Sequence, residues 1–207
     1  TIRIRPGAQF IDDPAFPRGR GRAVTAADFV YSIKRHFDPA TRSQGAWLWQ
    51  NRIVGLDQWK DEGADYDREV PGLRALDEHT VQIQLVSPFP QLTHTLAQGF
   101  AAIVPREAVE HYGQEFPIRP VGSGPYRLSG FDSTGAVLQR NPAFREPPFS
   151  LEAEGYDAET QGHLGLERLE GRVPPFTDRI EVAFIAEDAA RWNAFISGET
   201  DFIKVPV

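Results

Sequence analysis

Cysteine and methionine are both absent from the 207 residues. Without thiols the chain forms no disulfide, holds no thiolate-ligated metal and has no cysteine nucleophile. The lack of methionine extends to the first position, so the sequence reads as a mature or excised chain with any targeting segment upstream of Thr1. Positive charge is also in short supply. The net charge is −7, which argues against broad electrostatic attraction to nucleic acid or to an anionic membrane. No apolar run approaches the roughly 18 residues that would mark a membrane-spanning helix. There is no internal repeat and no heptad pattern. The histidines, His36, His79, His94, His111 and His163, are scattered, and no pair has the spacing of zinc ligands.

What is present is ordinary for a globular chain: 41% apolar and 25% charged residues, which argues against wholesale disorder. A chain of this size buries roughly 70% of its extended surface on folding, enough for a sizeable core in one large or two small domains. Thr1–Arg5 alternates apolar and charged residues and reads as a half-buried strand. Residues 24–39 carry the strongest local signal. Thr25 is a good N-cap, Asp28 sits where a carboxylate favours a helix N-terminus, Phe29, Ile33 and Phe37 make one apolar stripe, and Pro39 stops the helix.

Val70–Ala75 and Thr80–Val86 read as paired strands around Asp77-Glu78, with Val81, Ile83 and Leu85 on one face. Gln91–Gln98 reads as a helix, Phe100–Val104 as a short strand, and Pro105–Tyr112 as a helix closed by Gly113. The Pro- and Gly-dense stretch 117–125 marks a boundary. Beyond it, Tyr126–Phe131 and Ala136–Arg140 form a hairpin. Arg179–Ile185 is a strand, Glu187–Ser197 a helix with Trp192, Phe195 and Ile196 on its apolar side, and Asp201–Val205 a final strand. Residues 145–175 have little periodicity and read as an insertion.

Four segments, taken in order, resemble a known family. They are Thr1-Ile-Arg-Ile-Arg-Pro-Gly-Ala-Gln-Phe10, then Val24-Thr-Ala-Ala-Asp-Phe-Val-Tyr-Ser-Ile-Lys-Arg35 with Asp38-Pro39, then Pro120-Val-Gly-Ser-Gly-Pro-Tyr126 with Leu138-Gln-Arg-Asn-Pro142, and last Phe195-Ile-Ser-Gly-Glu-Thr-Asp-Phe202. Together they resemble the extracellular solute-binding proteins of family 5, the peptide- and nickel-binding components of ABC importers. Ile11-Asp-Asp-Pro14, Ser123 and Phe144-Arg145 depart from the family's usual residues. The resemblance implies a mixed α/β (α+β) fold of the type II periplasmic binding protein kind. It implies an internal fragment of a longer protein, with 1–117 as the small lobe called domain II and 118–207 as part of domain I. The function it implies is to bind peptides or a related solute by closing two lobes without chemistry, and to deliver the solute to ABC permease membrane subunits. The location it implies is the periplasm or a lipid-anchored place at the cell surface. No cofactor is expected, nothing in the spacing of the histidines points to a metal, and this segment is not expected to insert into the membrane.

On the same resemblance Trp47 and Trp49, which follow the Asp38-Pro39 helix end, are candidates for the edge of the ligand cavity. An indole face covers apolar or peptide-plane surface and its N–H donates a hydrogen bond. The competing reading places both in the core. Gly122, Ser123 and Gly124 form a candidate interlobe turn, or simply the turn that starts a hairpin. Gly-Ser-Gly is neither a phosphate-binding loop nor the nucleophile elbow of a hydrolase. Adjacent Asp12 and Asp13, and the alternating Arg18, Arg20 and Arg22, read as solvated loop residues. Two other functions compete: a hydrolase, for which no nucleophile–base–acid set is recognisable, and a ligand-free interaction module.

Overall fold

A computed structural model describes residues 1–205. They fall into two compact units: Thr1–Pro125 with Asn141–Pro147, and Tyr126–Arg140 with the chain from Pro148 onward. Ile118–Pro125 therefore pack with the first unit. Val121 is buried there, and the Gly122 carbonyl accepts a hydrogen bond from Ile11 N–H at 2.9 Å.

In the first unit a three-stranded antiparallel sheet has the order β1 (Ile2–Arg3), β3 (Thr80–Ile83), β2 (Leu73–Ala75). The register sets Ile2 opposite Val81 and Leu73 opposite Ile83. Helix α1 (Ala26–Phe37) lies against β2, β3 and α2 (Leu56–Asp61). Its start follows from local chemistry: the Thr25 N–H and hydroxyl both donate to Asp28 Oδ2, at 2.8 and 2.9 Å. Phe29, Ile33 and Phe37 are all buried, as their spacing predicts. Each contributes about 1.5–3 kcal/mol of hydrophobic burial. At the C-terminal end Asp38 turns the chain, its carboxylate accepting from Ala40 N–H at 2.8 Å. Phe10, Phe16, Trp49, Ile53, Trp59 and Val70 complete the core. Helices α3 (Leu92–Leu96) and α4 (Arg106–Tyr112) follow.

Phe100–Val104 is not the strand its apolar run suggests. Gly99–Ala101 is a single 3-10 turn, with local bonds from Ala101 N to Gln98 O and from Ala102 N to Gly99 O. Val104 N–H is taken by Ser32 Oγ at 2.9 Å, so no strand ladder claims the segment.

The second unit has its own antiparallel sheet in the order β4 (Tyr126–Phe131), β5 (Gly135–Arg140), β6 (Arg179–Ala183). A bulge at Ser129 shifts the β4–β5 register between Leu128 and Gly130. Residues 145–175 carry one short helix, α5 (Ala158–Gln161), and two 3-10 turns. Helix α6 (Asp188–Ile196) forms where expected, but Trp192, Phe195 and Ile196 on its apolar side are exposed. Residues 201–205 make no strand, because among the described residues no ladder pairs with them.

Candidate functional site

The two candidate tryptophans sit on one tight turn with opposite environments. Ala46–Leu48 is a 3-10 turn, closed by Trp49 N–H donating to Ala46 O at 3.0 Å. Trp47 is 63% exposed, while Trp49 is wholly buried in the core, and its Nε1 has no partner among the described residues. Trp47 has indole surface to offer a ligand and Trp49 has none.

The turn is braced from α1 and from the Gly99–Ala101 turn. His36 Nε2 lies 2.7 Å from Phe100 O, so this nitrogen carries the proton and donates. His36 Nδ1 then accepts from the Ser43 hydroxyl at 2.5 Å, and Ser43 Oγ accepts from Gly45 N–H at 3.0 Å. Burial pushes the His36 pKa below its usual value, against the pull of the Phe100 carbonyl, which keeps the ring neutral. Gly45 is required here. A Cβ would stand 2.5 Å from the Phe100 ring and 3.0 Å from His36, so only glycine lets the turn press against Phe100. Phe100 itself is exposed beside it.

The same chain segment continues into Arg52, whose N–H donates to Trp49 O at 3.1 Å. Its carbonyl accepts from Val86 N–H at 2.8 Å, and its guanidinium stacks 3.8 Å from the centre of the Phe89 ring. The first unit thus exposes the Trp47 and Phe100 rings and carries an Arg52–Phe89 stack. Such groups can cover apolar or peptide-plane surface and donate hydrogen bonds. Phe100, Phe89, Arg52 and His36 were not singled out by the sequence reading. Only tertiary contacts assemble them.

The Gly122–Ser123–Gly124 turn is held elsewhere in the first unit. Asn141, buried, donates from Nδ2 to Gly124 O and from its N–H to Pro125 O, both at 2.8 Å. This brings together the Pro-Val-Gly-Ser-Gly-Pro and Asn-Pro motifs, which lie apart in sequence. Among the described residues no side chain bonds Ser123 Oγ and no hydrogen bond ties this turn to Trp47. The described residues contain no cluster of three or more metal-ligating side chains.

Two loop expectations change. Arg22 is not a free solvated residue. Its guanidinium clamps Asp28 (Nη2 to Oδ1, 2.7 Å) and Glu107 (Nε to Oε1, 2.6 Å), joining the N-terminus of α1 to that of α4. These bonds raise the Arg22 pKa and hold the Glu107 carboxyl below the usual range. Asp13 is likewise engaged: its Oδ1 accepts from Ala15 N–H and from the Tyr112 hydroxyl, both at 2.9 Å. Partners 85 and 99 residues away are invisible to a reading of spacing. Beside the Arg22 clamp lies a cavity of about 430 Å³ lined by Tyr31, Lys34, Tyr66 and Arg106. Lys34 Nζ is already spent there, on Tyr66 O and Arg68 O.

Comparison with known proteins gives one consistent result. The model of the bacterial extracellular solute-binding proteins, family 5 Middle, matches residues 1–207. The periplasmic oligopeptide-binding protein OppA of Salmonella typhimurium is 33% identical over 151 residues, covering 70% of this chain and 25% of that protein. The glutathione-binding protein GsiB of Escherichia coli is 28% identical over 137 residues, covering 66% and 22%. The structure of the Escherichia coli murein tripeptide binding protein MppA superposes with a TM-score of 0.67 at 24% identity, covering 96% of this chain and 33% of that one. The fold is therefore that of type II periplasmic binding proteins, of which the chain spans about a third. It spans about a quarter of the length of the curated relatives it matches.

Proposed function

The chain belongs to the bacterial extracellular solute-binding proteins of family 5, and on that premise we propose that it serves in the substrate-binding component of an ABC importer. The component holds a peptide, or a closely related solute, and passes it unchanged to the permease membrane subunits. The observation that carries this reading is the family match from residue 1 to residue 207. Its relatives OppA, an oligopeptide-binding protein, and GsiB, a glutathione-binding protein, support a peptide ligand. OppA of Salmonella typhimurium is periplasmic, and that is the location proposed here. No helix among the described residues is long and apolar enough to cross a membrane.

The first compact unit is proposed as most of the small lobe of the whole receptor, and the second as part of the larger lobe. Gly122–Ser123–Gly124 is proposed as the interlobe turn. Of the two tryptophans, Trp47 takes the ligand-contact role, since its exposure leaves a free indole face on a braced turn. Peptides held by their main chain, in roomy hydrated pockets, place few demands on any one side chain. A hydrolytic reading lacks support, because Ser123 has neither a base nor an acid within hydrogen-bond reach among the described residues.

The test is calorimetric titration of the native full-length protein with a set of di- to pentapeptides, followed by mass spectrometry of the recovered peptide. Saturable binding with the peptide intact is the expected result. Cleaved peptide would favour the hydrolase, and no binding across the set would favour an interaction module.

A further inference from the structure

Arg52 carries hydrogen-bonding capacity that the described residues leave unspent. A guanidinium has five N–H donors in a planar fork. Arg22, Arg68 and Arg106 each direct theirs to a carboxylate within 4 Å. No salt bridge and no side-chain hydrogen bond involves Arg52 among the described residues, although its guanidinium is fixed in place. Its Nε is shielded from water and has no acceptor, while the terminal Nη groups keep access to solvent.

Three features orient this cation. Phe89 covers one face at 3.8 Å, which holds the plane and leaves the edge free. The backbone is pinned on both sides of the side chain, by Asn51 N–H donating to Asp57 Oδ2 at 2.9 Å and by Val86 N–H donating to Arg52 O at 2.8 Å. Trp47 stands exposed five positions earlier in the chain, and Gly45, two positions before it, packs against Phe100. A stacked guanidinium with an open edge is pre-organised for two parallel bonds to a planar oxyanion, and little side-chain freedom is lost when they form.

We propose that Arg52 is an anchor for a carboxylate of the bound solute, with Phe89 as the plate that orients it. The proposal rests on the solute-binding reading above. It adds that the preferred solute presents a free carboxylate to this end of the first unit.

The experiment titrates the native full-length protein with the tripeptide Ala-Ala-Phe as the free acid and as its C-terminal amide. Wild type is expected to bind the acid about tenfold or more tighter than the amide, the scale of one charge-assisted bidentate contact. Arg52→Gln removes most of that preference. Arg52→Lys keeps only part of it, since an ammonium cannot form the two parallel bonds. Circular dichroism melts of both variants, matching wild type, establish that the fold is retained; if Arg52→Gln melts low, Arg52→Lys alone decides. Peptide binding with an acid preference unchanged in the folded variant overturns the Arg52 assignment and leaves the receptor reading standing. Equal binding of acid and amide by wild type also overturns it. Equal competition by inorganic phosphate overturns the choice of a planar carboxylate. Failure of every peptide to bind overturns this proposal and the receptor reading together.

Discussion

In the first unit Phe10, Ile33, Trp49 and Leu56 are closed off from water, whereas in the second Phe131, Phe184, Trp192 and Phe195 remain open to it. Both units form regular elements, and both carry the amphipathic patterns that go with them. The first closes its apolar stripe with sheet, helices and loops drawn from Thr1–Pro125 and Asn141–Pro147. In the second, only Pro175 and Ala194 are buried among the described residues. A hydrophobic period tells which face of an element wants cover. It does not tell what supplies the cover, and the relatives extend well beyond the matched stretch. Stability in this chain is therefore concentrated in the first unit, and that unit also braces the Trp47 turn.

Substitutions can break or sharpen that contrast. The largest effect is expected for Phe29→Asp, which puts an unpaired charge under α1, among the most costly single changes in a core. The cooperative melt of the first unit, followed by far-ultraviolet circular dichroism, should vanish; a melting temperature within a few degrees of wild type would mean the helix face is misassigned. Next come the two tryptophans. Trp49→Ala empties a fully buried site and is expected to cost about 3–5 kcal/mol in a urea titration, while Trp47→Ala is expected to cost under about 0.5 kcal/mol. Equal costs would contradict the opposite placements of the two rings.

Arg22→Ala leaves Asp28, only 4% exposed, with its Thr25 bonds but no counter-charge. The expected loss is about 2 kcal/mol, less than for a fully buried pair because Arg22 is more than a third exposed. The same clamp predicts a pH dependence. Glu107 is held below its ordinary pKa by the Arg22 bond, so its contribution is complete above the usual glutamate range and is lost as pH falls through the depressed folded value. Glu107→Gln should flatten that acid limb in a series of denaturant melts, and an unchanged limb would remove the clamp from the explanation. A small effect is also expected in the second unit. Phe195→Ala, on the open side of α6, should cost under about 1 kcal/mol, against about 2–5 kcal/mol for Ile33→Ala under α1. A Phe195 cost in the Ile33 range would erase the contrast between the units.

Local features were legible in the sequence where the cause was local. The Thr25–Asp28 cap, the Phe29–Ile33–Phe37 stripe, the Thr80–Ile83 alternation and the 126–140 hairpin all depend on residues a few positions apart, and all appear. The strand expected at Phe100–Val104 failed because Ser32, 72 residues away, takes the Val104 N–H. The loop reading of Arg22 failed for the same reason, with Glu107 as the distant partner. At the candidate site the sequence pointed to the Trp47–Trp49 segment but not to its division. Neighbouring residues on a tight turn point in different directions, and nothing in a Trp-Leu-Trp string says which indole goes inward. Phe89 and Phe100 needed the tertiary structure, because Phe89 meets Arg52, and Phe100 meets Gly45 and His36, across the chain.

The central claim is that the Trp47 face belongs to a receptor that holds a solute and leaves it unchanged. Equilibrium dialysis of an isotope-labelled tripeptide against the native full-length protein, wild type and Trp47→Ala in parallel, tests it most directly. The account predicts saturable retention of intact peptide by wild type, and affinity lower by about fivefold or more in the variant with the same melting temperature. Identical affinities for the two proteins, or label recovered as peptide fragments, would contradict it.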